Sequence, residues 1–222
     1  DYFSNNETNF RNKILNLNWP IIFLIMVLGA IGLLMLYSAG HGKIDPWMIR
    51  QLKFYIAFLP IMFFIALVDI KIWYKLAYPM YLFGIILLLL VAVVGHNALG
   101  ATRWIRFGGI NIQPSEIMKV FMVIALARYF YDAEAEEVSK TRFAIIPLAI
   151  IVIPALLIFK QPDLGTALIL TIVGVIVLFL AGVKKRNFVI TGLLGLSAVP
   201  LIWIFVLYDY QKRRVLTFLN LE

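Results

Sequence analysis

Hydrophobic positions in this chain form long uninterrupted blocks, and short polar links separate one block from the next. A helix needs roughly 17 to 25 apolar residues to cross a hydrocarbon layer about 30 Å thick, and runs of this length recur along the whole chain. The blocks lack the alternating period of barrel strands, and lipid would leave the edge amides of an open sheet unpaired. The pattern therefore predicts seven transmembrane helices, near residues 19–38, 52–68, 76–95, 114–131, 143–159, 164–183 and 188–208.

The composition agrees with a polytopic membrane protein. Hydrophobic residues make up 63% of the 222 residues, charged residues 14%, and the mean hydropathy is +0.93. The first apolar run is too long for a signal-peptide core and is followed by no small-residue cleavage motif. No internal repeat or low-complexity linker divides the sequence, so we expect an all-α transmembrane helical bundle in which residues 1–222 form one membrane domain.

The positive charges indicate the orientation only weakly. If seven spans alternate, the amino-terminal tail lies on the same side as the links at 69–75, 132–142 and 184–187. Lysine and arginine are nearly equal on the two sides, but this side holds the compact KKR segment, which favours the cytoplasm for the tail. The net charge of +8 also has a simple explanation, because basic residues near a membrane are attracted to anionic lipid head groups.

One polar stretch between two apolar runs, GATRWIRFGGINIQPSEIMKV at 100–120, is unusually rich in charge. Its QPSE segment predicts a helix start, because Pro114 in the first turn loses no hydrogen bond and Glu116 lies near the positive end of the helix dipole. Lys119 follows Glu116 by three residues, so the two side chains share a face and can pair. One interpretation is therefore a well-capped helix with a neutralising ion pair.

That interpretation leaves Arg103 and Arg106 unexplained. They lie beside Gly100, Gly108 and Gly109, where the backbone can turn tightly or approach a ligand closely. Two guanidinium groups, a lysine and a helix N-terminus at one membrane face form a candidate anion site, and phosphate matches guanidinium geometry best. The capped helix and the anion site both remain open at this point.

A second polar stretch, KQPDLGT at 160–166, separates the fifth and sixth predicted spans on the same predicted face. Ionisable residues at such depth usually pair with a partner or line a pathway. The simplest interpretation is a helix–helix turn in which Pro162 and Gly165 break the helices and Asp163 caps the next one. Two Gln-Pro elements on one face also suggest a shared cavity.

These motifs together resemble a known family. G-x-x-R-W-I, then Q-P-S-E-x-x-K, K-Q-P-D-L-G-T and finally DYQKRRV at 209–215 are similar, in order and spacing, to the SEDS family (shape, elongation, division and sporulation). The resemblance covers nearly the whole chain. The LYSAG end of the first span, RYF at 128–130 and DYQKRRV resemble the rod-shape branch of the family more than the division branch.

The resemblance implies a peptidoglycan glycosyltransferase, a multi-pass protein of the bacterial inner membrane. Its substrate would be lipid II, the disaccharide-pentapeptide carried on undecaprenyl pyrophosphate. It also implies a class B penicillin-binding transpeptidase as partner, with no nucleic acid. No metal site or cofactor is indicated, although a divalent cation is left open.

The same resemblance suggests roles for the candidate residues. Arg103, Arg106 and Lys119 would hold the lipid pyrophosphate that polymerisation expels. Glu116 would orient Lys119, and Asp163 would support the cavity from the neighbouring loop. The supporting catalytic residues are then Glu116, Lys119 and Asp163, and the substrate-binding residues are Arg103, Arg106, Gln113 and Lys160.

The general base implied by the resemblance is not among these residues. The family has about ten spans, and its catalytic aspartate lies in an outer loop after the seventh. The sequence ends at Glu222, before that loop, so this stretch by itself is expected to be inactive.

Two other classes of function fit the same pattern. A bundle with charged residues in broken helices also suits a flippase for lipid-linked precursors or another secondary carrier. A scaffold that only positions cell-wall synthases is the third possibility. The classes differ in their products, because an enzyme would convert lipid II to glycan strands and free lipid pyrophosphate, whereas a carrier would leave it unchanged.

Overall fold

The computed structural model describes residues 10–94, 96–98, 101–107, 110–138 and 140–184, together with scattered positions between 186 and 217. The chain divides into two compact units, Asp1–Trp73 and Tyr74–Glu222, and each is described by itself below. The organisation as a single membrane domain therefore stays a prediction.

Eight α-helices lie within the described residues. They are α1 (Phe10–Leu15), α2 (Trp19–Ala39), α3 (Trp47–Leu67), α4 (Ile70–Val94), α5 (Pro114–Tyr131), α6 (Ala135–Val138), α7 (Ile145–Lys160) and α8 (Leu164–Leu180). A 3-10 helix, Thr141–Ala144, precedes α7. The prediction of an all-α polytopic bundle is thus confirmed for the membrane helices.

Four described segments are long and apolar enough to cross a membrane, namely Trp19–Ala39, Trp47–Leu67, Ile70–Val91 and Arg142–Lys160. In addition, α5 and α8 coincide with the fourth and sixth predicted spans, although α5 contains three charged residues and α8 has only 17 residues. The seventh predicted span, near 188–208, lies mostly outside the described residues.

Two helices begin earlier than the apolar runs indicated. The helix α3 includes Arg50 and Lys53, and α4 includes Lys71 and Lys75, because charged residues are tolerated in helix turns that reach the membrane interface. The predicted link at 69–75 is therefore wrong, since only Val68 and Asp69 separate α3 from α4.

Asp69 forms the start of α4. Its Oδ1 accepts a hydrogen bond from the backbone N–H of Lys71 at 2.9 Å, and its Oδ2 lies 3.8 Å from Nζ of Lys13. The backbone hydrogen bond, with a smaller contribution from the Lys13 charge, lowers the pKa of the Asp69 carboxyl below its usual value.

The core of the second unit lies where α4, α5, α7 and α8 meet. Its fully buried side chains are large and aliphatic, and include Leu88, Met118, Met122, Leu126, Ile151, Ile158 and Leu170. Two glycines allow close contact between helices: a Cβ built at Gly84 would lie 2.5 Å from Sδ of Met118, and one at Gly174 would lie 2.6 Å from Cγ1 of Ile151. Small residues at such crossings are typical of membrane helix packing.

Three short strands between α4 and α5 were not predicted. They are β1 (His96–Ala98), β2 (Ala101–Phe107) and β3 (Ile110–Ile112), which form an antiparallel sheet in the order β1-β2-β3. In β2, Arg106 pairs with Asn111 of β3, and Trp104 pairs with His96 of β1. The strands lie in the polar link between two spans, where the backbone groups need partners but no apolar period marks them.

Candidate functional site

The candidate site begins at the amino-terminal end of α5. Gln113 is the N-cap residue in an extended conformation, and Pro114 follows in the first turn as predicted. Pro114 is buried, and its missing N–H removes no helical hydrogen bond at this position. The sequence therefore produces a sharp helix start that orients the first turn of α5.

Glu116 and Lys119 form the predicted ion pair on this turn. The Lys119 Nζ lies 2.9 Å from Oε1 and 2.8 Å from Oε2 of Glu116. The Glu116 side chain is 56% exposed and that of Lys119 is 21% exposed. Glu116 is thus open to exchange partners with solvent, whereas Lys119 is held close to the helix surface with its charge directed to the carboxylate.

The turn between α7 and α8 supplies the second part of the site. Asp163 is buried and is the N-cap of α8, as predicted. Its Oδ1 accepts a hydrogen bond from the Thr166 backbone N–H at 3.4 Å, and its Oδ2 accepts one from Oγ1 of Thr166 at 2.9 Å. These bonds fix the carboxylate at the mouth of the turn.

The two Gln-Pro motifs meet at this point. Nε2 of Gln113 donates a hydrogen bond to Oδ2 of Asp163 at 3.0 Å, across 50 residues of sequence. The prediction that both motifs lie at the same end of the bundle is therefore confirmed. The contact joins the N-cap residues of α5 and α8 and defines one polar region, made of Gln113, Asp163 and Thr166.

Gln161 also belongs to this region, and the sequence did not identify it as a site residue. It is 4% exposed, and its Nε2 donates to the Leu88 carbonyl of α4 at 2.8 Å. The sequence feature that could have identified Gln161 is a polar amide residue directly before a proline, between two apolar runs. Ser115 was missed as well: its Oγ is buried and has no hydrogen-bond partner in the structure.

The other predicted substrate-binding residues have different outcomes. Lys160 is the last residue of α7, lies beside the polar region and is exposed. Arg103 and Arg106 belong to β2, but their side chains lie outside what the structure describes. The anion-binding role of Arg103 and Arg106, and the substrate-binding role of Lys160, stay predictions.

The chemistry available to the described part of the chain is that of charged and amide groups. Among the described residues, no group of three or more His, Cys, Asp or Glu side chains is placed to hold a metal ion. Lys119 lies near the start of α5 and is paired with the exposed carboxylate of Glu116. A lysine in this position is suited to bind an anionic ligand in exchange for the carboxylate. Helix capping accounts for the positions of Asp163 and Pro114.

Comparison with known proteins identifies the family. Residues 18–222 match the family model of FtsW, RodA and SpoVE, described as cell cycle protein. The chain is 31% identical over 218 residues to the peptidoglycan glycosyltransferase MrdB of Escherichia coli K12, covering 98% of this chain and 58% of that protein. It is 32% identical to a probable peptidoglycan glycosyltransferase FtsW of Geobacter sulfurreducens, covering 90% of this chain and 56% of that protein.

Solved structures give the same result. A structure described as structural coordination of polymerization and crosslinking by a peptidoglycan synthase complex matches with a TM-score of 0.79 and 30% identity, covering 93% of this chain and 60% of that chain. The rod shape determining protein RodA of Thermus thermophilus matches with a TM-score of 0.72 and 28% identity, covering 83% of this chain and 60% of that chain.

These matches have two further consequences. The chain spans just over half the length of the curated relatives that it matches. Identity to MrdB and to FtsW is nearly equal, so the similarity to the rod-shape branch stays a prediction. The ordered motifs, the helical fold and the match over residues 18–222 agree, and the chain belongs to the FtsW, RodA and SpoVE family of cell cycle proteins.

Proposed function

We propose that the protein is a peptidoglycan glycosyltransferase that polymerises lipid II into glycan strands for cell elongation and rod shape. Family membership and relatives named as peptidoglycan glycosyltransferases support this proposal. The observation that carries it is the hydrogen bond between Gln113 and Asp163. This bond brings two motifs, distant in sequence, into one polar region at the end of an apolar bundle.

The proposed chemistry is the transfer of a glycosyl group. A hydroxyl oxygen of the acceptor sugar forms a bond to the anomeric carbon of the donor, while the bond from that carbon to the pyrophosphate oxygen breaks. Negative charge develops on the departing lipid pyrophosphate, and positioned cations stabilise it. In the proposal, Lys119 contributes one cation, and Arg103 and Arg106 contribute two more from β2.

The remaining residues have supporting roles in this proposal. Glu116 holds Lys119 in place by the ion pair at 2.8 Å and releases it toward the pyrophosphate when substrate binds. Gln113 and Asp163 fix the first turns of α5 and α8 against each other, and Lys160 adds charge at the same end. In this proposal, none of the residues named here is the general base that takes the hydroxyl proton.

The proposed setting is the bacterial inner membrane, with a class B penicillin-binding transpeptidase as partner. Family membership and the four membrane-spanning segments support a multi-pass membrane protein. The solved neighbour described as a peptidoglycan synthase complex couples polymerization to crosslinking, which supports a crosslinking partner.

Products distinguish this function from transport. The intact protein, purified in detergent with lipid II, is expected to yield glycan strands and free undecaprenyl pyrophosphate. A carrier would return unchanged lipid II, and that result with well-folded protein would overturn the proposal. A scaffold would support polymerisation only through another synthase, so Arg103→Ala and Arg106→Ala would leave polymerisation by the assembled complex intact.

The orientation can be tested at the two ends of the segment Arg142–Lys160, which comprises α7 and most of the 3-10 helix before it. Lys160 and Arg142 are both exposed, and they lie at opposite ends of one spanning segment. A cysteine at Lys160 should react with an impermeant thiol reagent in intact spheroplasts, whereas a cysteine at Arg142 should react only after lysis. The reverse pattern would contradict an outward-facing site.

A further inference from the structure

Three of the described spanning helices contain an internal proline, and in α3 it is Pro60. In the other two, a side chain of another helix donates to the carbonyl that the proline leaves without its helical donor. Pro79 lies within α4 and Pro154 lies within α7. A proline has no N–H, so the carbonyl four residues earlier loses its helical donor. These carbonyls belong to Lys75 and Ile150. In a lipid environment, a backbone carbonyl without a partner is costly, and side chains of neighbouring helices commonly supply the missing donor.

Arg128 of α5 supplies a donor to the first carbonyl. Its Nη1 lies 3.2 Å from the carbonyl oxygen of Lys75 and 2.9 Å from that of Tyr74. The guanidinium carbon lies 4.5 Å from the ring centroid of Tyr74 and 4.4 Å from that of Tyr78. Cation–π contacts at these distances hold the guanidinium in place on α4.

The second carbonyl has a donor of the same kind. The hydroxyl of Tyr81, on α4, donates to the Ile150 carbonyl of α7 at 3.1 Å. Tyr81 follows Pro79 by two residues. The same segment of α4 therefore accepts a hydrogen bond from Arg128 of α5 and donates one to α7. The bond is partly buried and joins residues 69 positions apart in sequence.

We propose that Arg128 and Tyr81 replace the backbone donors missing at Pro79 and Pro154. Arg128 thereby fixes α5 to α4 at the Lys75 carbonyl, and Tyr81 fixes α4 to α7 at the Ile150 carbonyl. Each of these carbonyls lacks the N–H donor of its own helix. The opposite ends of these helices carry Gln113, Leu88 and Gln161. The two cross-helix bonds therefore set the relative axial positions in which those groups meet.

Double-mutant cycles test the assignment, because restoring the backbone N–H should make the side-chain donor dispensable. In the intact protein in detergent, Arg128→Met should lower the melting temperature by about 4–8 °C. The same change in a Pro79→Ala background should lower the melting temperature by less, because the Lys75 carbonyl then has its own helical donor. Only the contacts with Tyr74 and Tyr78 are then lost. Tyr81→Phe, which removes one hydroxyl oxygen, should lower the melting temperature by about 2–4 °C, and Pro154→Ala should offset that loss.

The two pairs serve as controls for each other. Pro154→Ala should not rescue Arg128→Met, and Pro79→Ala should not rescue Tyr81→Phe. If Arg128→Met prevents folding, the Tyr81 cycle still decides, because Tyr81→Phe keeps the ring and its packing. The proposal would be overturned if each side-chain change lowered the melting temperature equally with the proline present and with it replaced by alanine. Since the readout is thermal stability, failure here is distinct from failure to polymerise lipid II.

Discussion

The contact between Gln113 and Asp163 gives the sharpest prediction for the candidate site. Asp163 is buried, and its carboxylate accepts hydrogen bonds from Gln113 Nε2 at 3.0 Å and from the Thr166 hydroxyl at 2.9 Å. It also caps α8 through the Thr166 backbone N–H at 3.4 Å. Replacement by alanine removes the cap and leaves two partly buried donors without this acceptor.

The size of the effect follows from these bonds. Loss of an N-cap costs about 1 kcal/mol, and a hydrogen bond to a charged group contributes about 1.5–3 kcal/mol. We expect Asp163→Ala to lower the free energy of unfolding by about 2–4 kcal/mol. Asp163→Asn keeps one side-chain oxygen for the cap and should cost about half as much. Lys160→Ala, an exposed change at the same end, should have little effect.

A double-mutant cycle measures the contact itself. With Gln113→Ala and Asp163→Ala made singly and together, unfolding in detergent followed by circular dichroism should give a coupling energy of about 1–2 kcal/mol. A coupling energy below about 0.5 kcal/mol would mean that the two motifs are stabilised independently. The proposal that the Gln113–Asp163 hydrogen bond joins the two motifs would then be contradicted.

Three further predictions concern other parts of the chain. Gly174→Ala should destabilise the protein by about 1–3 kcal/mol, because the added methyl group would enter the contact between α7 and α8. Gly32→Ala has open space around it and should be neutral or slightly stabilising in the same unfolding assay. If Lys119 contacts the pyrophosphate, Glu116→Gln with Lys119→Met should keep near wild-type stability, because the Glu116 side chain is 56% exposed, yet remain inactive toward lipid II; normal polymerisation by the double variant would reduce the pair to a structural role. Ionised Asp69 stabilises the fold above its unfolded-state pKa, and this stabilisation should disappear as the pH falls through the lowered pKa, so that Asp69→Asn and wild type converge in melting temperature at low pH.

The spanning helices were predictable because lipid imposes one solution on a long apolar run. The helix caps were also predictable: Pro114 and Asp163 lie at the helix starts that their local chemistry indicated. Helix ends were less accurate where charged residues extend a helix beyond its apolar run, as Lys71 does at the start of α4. Hydropathy measures burial in lipid, and these turns lie at its edge.

The contacts between helices could not be predicted from one sequence. That Gln113 and Asp163 share one end follows from alternating spans, but their hydrogen bond depends on how α5 and α8 pack. The partners of Lys75 and Ile150 are a similar case, since proline identifies the carbonyl without a donor but not the side chain that supplies one. The strand that carries Arg103 was missed because it is short and lies between spans.

The most direct measurement of the proposed site compares polymerisation of lipid II by the intact protein with that by Arg103→Ala and Arg106→Ala variants, each checked for expression and melting temperature. Both variants should lose most or all of their polymerisation while retaining near wild-type stability, because residues in a link between spans contribute little to helix packing. Arg103→Lys should restore activity only in part, since lysine keeps the charge but loses the planar fit to phosphate oxygens. Normal glycan synthesis by both alanine variants would contradict the pyrophosphate-binding role of these arginines.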